Sequence, residues 1–149
     1  MIKIFVTGGT FDKDYDEKNG KLYFKETHMN EILKLGRSKV DVSIETLMML
    51  DSLDMKDSDR KLIVEKCTKS KENHIVITHG TDTMTDTARE LGLKKLNKTI
   101  VLTGAMIPYK FGTSDGLFNI ASALAYVQTL TKGVYVAMNG RVFTYDKVI

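Results

Sequence analysis

Residues 75–84 read IVITHGTDTM, and they are the clearest indication of the fold class. Its first four residues form a short run rich in β-branched side chains, which has the length and composition of a strand buried on both faces. A polar loop follows at residues 79–83, and Met84, Ala88 and Leu91 then recur at helical spacing. A buried strand, a loop and an amphipathic helix together form the repeating unit of an α/β protein.

The same unit recurs on both sides of this stretch. Further apolar runs of strand length occupy residues 2–6, 40–44, 100–103 and 134–138. Segments with helical periodicity lie between them, at residues 29–36, 58–69 and 117–130. Because this alternation implies parallel strands joined by right-handed crossovers, we predict an α/β fold with a doubly wound, mostly parallel, flavodoxin-like sheet. Asn139-Gly140 predicts a tight turn and hence a C-terminal hairpin with residues 141–145.

Length and composition indicate one domain and exclude several classes of protein. The chain has 149 residues, and 22 Lys and Arg against 19 Asp and Glu give a net charge of +3. No apolar stretch has the length of a membrane span, and the opening residues lack the pattern of a signal peptide. Cys67 is the only cysteine, so no internal disulfide can form and a cytoplasmic location is expected. Lysines and acidic residues are interleaved, so we expect no nucleic-acid partner and no membrane partner.

Polar loops follow the ends of four predicted strands. They are Thr7-Gly8-Gly9-Thr10, Asp51-Ser52-Leu53-Asp54, residues 79–83, and residues 103–106 with 114–116. In a sheet of this kind, ligands bind beyond the carboxyl ends of the strands, so these loops predict a site for a small polar molecule. The first loop has neither the G-x-G-x-x-G spacing of a dinucleotide site nor the Gly-Lys-Ser/Thr of a P-loop.

Each loop also has a purely structural interpretation. The loop at residues 7–10 could be a simple turn, and Ser52 could cap a local helix. Thr81-Asp82-Thr83 could cap the helix that opens near Met84, although capping explains one of these three residues better than all of them. His79, at a strand end, is more often a structural residue than a general base. No histidine or cysteine has the spacing of a metal site, so we expect no metal and no cofactor.

Five motifs in these loops resemble the signature motifs of the asparaginase/glutaminase family, in its order and near its spacing. They are TGGTF at residues 7–11, DSLDM at 51–55, HGTDTM at 79–84, TGAMIP at 103–108 and SDGLFN at 114–119. The resemblance covers essentially the whole chain, and short, single-domain asparaginase-like proteins look most similar. It implies a single domain over residues 1–149 of the family's N-terminal type, without the family's C-terminal domain.

Matched position by position, the resemblance implies roles for five residues. Thr10 looks like the nucleophilic threonine, Tyr23 like the tyrosine of the mobile lid, and Thr81 like the second catalytic threonine. Ser52 matches the serine that holds the α-carboxylate of the substrate, and Asp82 matches the aspartate that pairs with its α-ammonium. The expected catalytic residues are therefore Thr10, Tyr23, Thr81 and Asp82, and the expected substrate-binding residues are Ser52, Thr81 and Asp82.

Two positions depart from the pattern of the family. Leu53 stands where many full-length members have a polar residue that also touches the substrate. The family also has a lysine that partners the second catalytic threonine, and the matched pattern puts it one residue past Ile149. Lys147 is the nearest lysine in the sequence, with a register that differs by a few residues.

The resemblance and the residue chemistry lead to one expected function and one alternative. We expect an asparaginase-like amidohydrolase that hydrolyses the side-chain amide of L-asparagine, or of a related small-molecule amide, through a threonine acyl-enzyme and releases ammonia. The alternative is a non-catalytic amino-acid-binding module that keeps the same pocket. The family forms tight dimers, and the helix at 117–130 is apolar almost all round, so we expect a homodimer or a higher homo-oligomer.

Overall fold

The fold is a three-layer α/β domain, seen here in a computed structural model that describes residues 1–148. The strands are β1 (Ile2–Gly8), β2 (Lys13–Asp16), β3 (Lys21–Phe24), β4 (Val42–Leu50), β5 (His74–Thr78), β6 (Thr99–Thr103), β7 (Gly133–Met138) and β8 (Arg141–Thr144). The α-helices are α1 (Met29–Leu35), α2 (Asp57–Lys69), α3 (Met84–Leu93) and α4 (Gly116–Thr129). Three 3₁₀ turns span Thr10–Asp12, Ser52–Asp54 and Tyr109–Phe111.

The central sheet has the strand order β4-β1-β5-β6-β7-β8. Its first five strands are parallel, and β8 runs antiparallel to β7. Among the parallel strands this is the 2-1-3-4-5 order of flavodoxin-like folds, so the predicted doubly wound sheet is confirmed. Asn139 and Gly140 have φ angles of 57° and 78°, as a type I′ turn requires, and the predicted C-terminal hairpin is confirmed as well.

Helices cover both faces of the sheet, which is why the buried strands show no polar alternation. On β1, Ile4 and Val6 belong to the core under α1 and α4, whereas Phe5 belongs to the core under α2 and α3. Ile120 of α4 and Ile63 of α2 are buried in these two cores. With both faces occupied, the carboxyl edge of the parallel strands is left for the polar loops.

Two features of the sheet differ from the sequence prediction. Strand β4 continues to Leu50, beyond the predicted end at residue 44. It is an edge strand, so Glu45 and Thr46 tolerate solvent and interrupt the apolar pattern that marks a buried strand. Strands β2 and β3 form a separate antiparallel hairpin that was not predicted, because their sequences KDYD and KLYF are mostly polar or aromatic and largely exposed.

Helix α4 packs on the sheet with one face only. Ile120, Ala123 and Val127 are buried, whereas Leu117 is 36% exposed and Phe118 is 60% exposed. Although the sequence of this helix is apolar almost all round, a single copy of residues 1–148 therefore buries only one of its faces. None of the helices in this part of the chain is long and apolar enough to cross a bilayer.

Candidate active site

Glycines bring the loops after β1, β4 and β5 into backbone contact at the carboxyl edge of the sheet. The Gly9 N–H donates a hydrogen bond to the Leu50 carbonyl at 2.8 Å, which joins the first loop to the second. A Cβ on Gly9 would lie 2.5 Å from the Gly80 nitrogen, so only a glycine lets the first loop approach the third this closely. Gly9 also has a φ of 77°, which side chains rarely allow. Thr10 and Thr81 directly follow Gly9 and Gly80, whose backbones are in contact.

Ser52 links the second loop to the third. It is 2% exposed, and its Oγ accepts the Thr83 N–H at 3.1 Å. The Thr83 hydroxyl donates in return to the Ser52 carbonyl at 2.9 Å. Thr83 is the N-cap residue of α3, so Ser52 holds the residue at which this helix begins from across the fold. Its hydroxyl proton is not used in these contacts and can still be donated to a bound carboxylate.

Thr10, Thr81 and Asp82 have side chains that the fold leaves without partners. Thr10 opens a 3₁₀ turn and is partly buried, as is Thr81, whereas Asp82 is exposed. Within residues 1–148, none of the three side chains makes a hydrogen bond to the protein. Thr83, not Thr81 or Asp82, occupies the N-cap position of α3, but its side chain makes no capping hydrogen bond, so helix capping accounts for none of these three side chains. The first loop, through Thr10, and the third loop, through Thr81 and Asp82, thus present hydroxyl and carboxylate groups without protein partners in the described part of the chain on one edge of the sheet.

His79 lies beneath this surface and supports the third loop. It is fully buried, and its Nδ1–H donates to the Gly80 carbonyl at 2.8 Å because a carbonyl can only accept. Its Nε2 then accepts the Thr87 hydroxyl at 2.8 Å. Burial lowers the pKa of His79 to about 4, and the positive charge of Arg60 acts in the same direction. The ring is therefore neutral at pH 7 and enclosed, which agrees with the structural interpretation and not with a general base.

Tyr23 stands on the β2–β3 hairpin, outside the central sheet. It is 43% exposed, and its backbone pairs with Asp14. The hairpin is tied to the site at its first residue, because Lys13 Nζ lies 2.5 Å from the carboxylate of Asp51, which precedes Ser52. Among the residues that the structure describes, the Tyr23 hydroxyl has no hydrogen-bond partner, so the fold holds the Tyr23 side chain only through its hairpin.

Lys147 follows the last strand of the central sheet. The Tyr145 N–H donates to the Val134 carbonyl, near the start of β7, and the Lys147 N–H bonds to Thr144 at the end of β8. Strand β8 is three strands away from β5 in the central sheet. The replacement of the family's lysine by Lys147 stays a prediction. Ile149 lies outside the described residues.

The side chains of the fourth polar loop stabilise the backbone at this edge of the sheet. The Asp115 carboxylate accepts the N–H groups of Met106 and Ile107 at 3.0 and 3.1 Å. The Asn119 amide donates to the Gly104 carbonyl at 2.9 Å, and a Cβ on Gly104 would meet the His79 carbonyl at 2.3 Å. The side chains of Asp115 and Asn119 thus form hydrogen bonds to backbone groups. Gly104 lets this loop pack closely against the third one.

Neither a metal nor a thiol nucleophile is suggested by the remaining side chains. Within residues 1–148, no cluster of three or more His, Cys, Asp or Glu side chains is arranged to hold a metal ion. Burial raises the pKa of the Cys67 thiol to about 12, so it is an unreactive core residue at neutral pH. The chemistry of this edge rests on hydroxyl, carboxylate and backbone N–H groups.

Comparisons with known proteins agree on one family. The family described as "Asparaginase, N-terminal" matches residues 1–148. L-asparaginase 2 of Escherichia coli K12 is 34% identical over 95% of this chain and 43% of its own length. One of the subunits of the glutamyl-tRNA(Gln) amidotransferase of Methanococcus vannielii is 32% identical over 95% of this chain and 34% of its own length.

A solved structure from this family has the same fold. The crystal structure of a probable cytoplasmic L-asparaginase from Campylobacter jejuni superposes with a TM-score of 0.86 at 33% identity, over 99% of this chain and 48% of that one. The chain spans less than half the length of each of these three relatives. The sequence match and the shared fold together show that the chain belongs to the asparaginase family, whose N-terminal domain its residues 1–148 match.

Proposed function

We propose that this chain is an asparaginase-like amidohydrolase that hydrolyses the side-chain amide of L-asparagine, or of a close relative, and releases ammonia. The observation that carries the proposal is the edge where three tightly packed loops leave Thr10, Thr81 and Asp82 without protein partners. Polar side chains that are held in place and left unpaired are what a bound polar molecule needs. Membership of the asparaginase family supports the choice of an amide as that molecule.

The reaction has two halves, both centred on Thr10. In the first, the Thr10 oxygen forms an ester bond to the amide carbon, the C–N bond breaks, and the hydroxyl proton leaves with the ammonia. In the second, water adds to the ester carbon and the bond to Thr10 breaks, which restores the hydroxyl and releases the acid. A threonine hydroxyl is a weak nucleophile, so a proton acceptor is required, and Thr81 is the hydroxyl proposed to pass the proton.

The other residues bind and orient the amino acid. Asp82 is exposed and carries the negative charge for an α-ammonium group, and the unused proton of Ser52 can be donated to an α-carboxylate. Tyr23 is proposed to close over the site on its hairpin. Backbone N–H groups that follow Gly9 supply donors for the oxyanion that forms when Thr10 attacks.

A second candidate is the non-catalytic amino-acid-binding module, and two observations favour it. Leu53 is 73% exposed beside Ser52, so an apolar side chain stands next to the proposed carboxylate site. Within residues 1–148, Thr10 also has no basic side chain in hydrogen-bond contact. Such a module keeps the affinity for the amino acid and lacks the proton transfer.

An ammonia-release assay over a panel of side-chain amides tests the proposal. We expect release from the parent chain, none from Thr10→Ala, and partial release from Thr10→Ser, which keeps the hydroxyl. Thr68→Ala, at an exposed threonine near the end of α2, is the matched control and should behave as the parent. Calorimetric titration with L-aspartate separates the candidates, because binding without ammonia release supports the module, and the absence of both refutes the proposed site.

We further propose that the chain forms a homodimer through α4 and acts in the cytoplasm. Residues 116–131 contain no charged side chain, and Leu117 and Phe118 of α4 are exposed. An apolar groove of about 250 Å³ lies between α1 and α4 and continues this surface. The single buried Cys67 supports a reducing compartment, and the related Campylobacter protein is described as cytoplasmic.

A further inference from the structure

One buried carboxylate fastens both ends of the segment that carries Tyr23. Asp12 ends the 3₁₀ turn that Thr10 begins, and it is fully buried. Its two oxygens accept the His28 N–H at 2.8 Å and the Thr27 hydroxyl at 3.0 Å. Thr27 and His28 lie between β3 and α1, whereas Asp12 directly precedes β2. The segment that contains β2 and β3 therefore begins and ends at the same buried carboxylate. The β2–β3 hairpin therefore projects from a closed and buried base.

The His28 side chain extends this base onto the hairpin itself. Its Nε2 lies 3.2 Å from Asp14 Oδ2, and the two residues are only 8% and 9% exposed. The other ring nitrogen, Nδ1, lies 3.7 Å from the Glu31 carboxylate on α1. Asp14 is also the residue that pairs with Tyr23 across the hairpin. A continuous path thus runs from α1 through His28 and Asp14 to the backbone of Tyr23.

The rest of the hairpin is held more loosely, which makes this path the main constraint on Tyr23. Leu22 and Tyr23 are 45% and 43% exposed. Further anchors are the ion pair of Lys13 with Asp51, whose side chains are 16% and 41% exposed, and the edge-on contact between the Tyr15 and Phe111 rings, whose centroids are 6.3 Å apart. An ion pair that is partly open to solvent contributes less than a fully buried one, whereas a buried polar pair is costly to break because it leaves an unpaired group.

We propose that His28 is a positioning residue that holds the β2–β3 hairpin through Asp14 and thereby places Tyr23 over Thr10. His28 itself touches no reacting atom. The effect on the hairpin stands on the geometry alone, whereas the effect on turnover rests on the proposed function. Loss of the His28 side chain should therefore speed amide exchange in the hairpin and, as a second prediction, lower the rate of catalysis.

Amide hydrogen exchange of the full chain tests the first prediction without any need for activity. In His28→Ala, peptides covering residues 13–24 should exchange faster by about fivefold or more, while peptides of β6 remain as in the parent. His28→Gln places an amide nitrogen near the position of Nε2 and should restore most of the protection. His74→Ala is the matched control, because His74 is an exposed histidine at the start of β5. If His28→Ala does not fold, Asp14→Asn tests the same contact with almost no change of volume.

A double-mutant cycle tests the second prediction. His28→Ala should lower kcat by about tenfold or more and leave the affinity for L-aspartate within about twofold. If His28 acts through Tyr23, adding His28→Ala to Tyr23→Phe should lower kcat little further. Unchanged exchange of the hairpin in a folded His28→Ala protein would overturn the proposal, and so would fully additive losses of kcat. A parent that shows no turnover refutes the proposed function and leaves the exchange result to decide the role of His28.

Discussion

Gly9→Ala should disrupt the contact on which the proposed site depends. The new Cβ would lie 2.5 Å from the Gly80 nitrogen, and ordinary contact begins near 3.4 Å, so the two loops must separate by about 0.9 Å. Gly9 has φ and ψ of 77° and 179°, a region open essentially to glycine alone, and an alanine there costs about 1–3 kcal/mol. With a similar cost for overpacking, unfolding should become easier by about 2–6 kcal/mol.

Activity should fall even in the Gly9→Ala protein that remains folded. A displacement of about 1 Å between catalytic groups can cost about 10²-fold in rate, and Thr10 and Thr81 directly follow the two residues that move apart. The assay is ammonia release from L-asparagine, measured at a temperature where the melting curve of each variant shows folded protein. Thermal unfolding measured by circular dichroism gives the stability in the same samples.

Gly112→Ala is the matched control for this experiment. Gly112 also has a positive φ, of 84°, but a Cβ there would meet no atom within 4 Å. It should therefore cost about 1 kcal/mol of backbone strain and leave activity unchanged. If Gly9→Ala keeps the parent's rate while folded, close approach of the first and third loops is not needed for catalysis, and the reasoning is refuted.

Three further predictions concern charge, pH and assembly. Asp82→Asn should weaken binding of L-aspartate in calorimetry by about 1.5–3 kcal/mol, the range for a hydrogen bond to a charged group, and unchanged binding would make Asp82 a mere surface residue. Because the folded pKa of His79 lies near 4 and that of an unfolded histidine near 6.5, only the unfolded chain takes up this proton between these values. Stability in urea should therefore fall by up to about 3 kcal/mol as pH drops from 6.5 to 4, and a folded His79→Gln protein with the same slope would contradict this. Phe118→Lys should convert a dimer into a folded monomer in sedimentation, and a parent that is already monomeric at micromolar concentration would contradict the proposed interface.

Much of the fold could be predicted because the signal is local. Each buried strand carries its own apolar run, and the Asn139-Gly140 turn determines the pairing of β7 with β8. The β2–β3 hairpin escaped prediction because its stability comes from distant partners, above all the contacts of Asp12 and Asp14 with residues 27–28. No short-range pattern in the sequence reports such contacts.

Part of the candidate site could likewise be predicted from the sequence, and part could not. Thr10, Ser52, Thr81 and Asp82 stand at the ends of predicted strands, so their meeting at one edge follows from the parallel sheet. The bonds between Ser52 and Thr83 join residues 31 positions apart, and only the folded chain reveals them. The role of His79 is similar, because its burial and its neutral state depend on helix α3 packing against the loop.

Trapping the acyl-enzyme tests whether Thr10 is the nucleophile. The parent chain is mixed with L-asparagine, quenched with acid during turnover, and digested for mass spectrometry. The account predicts an aspartyl group attached to the peptide that contains Thr10, ammonia release at the same time, and neither signal in Thr10→Ala. Ammonia release that persists in folded Thr10→Ala, or an aspartyl group attached to another residue, would contradict it.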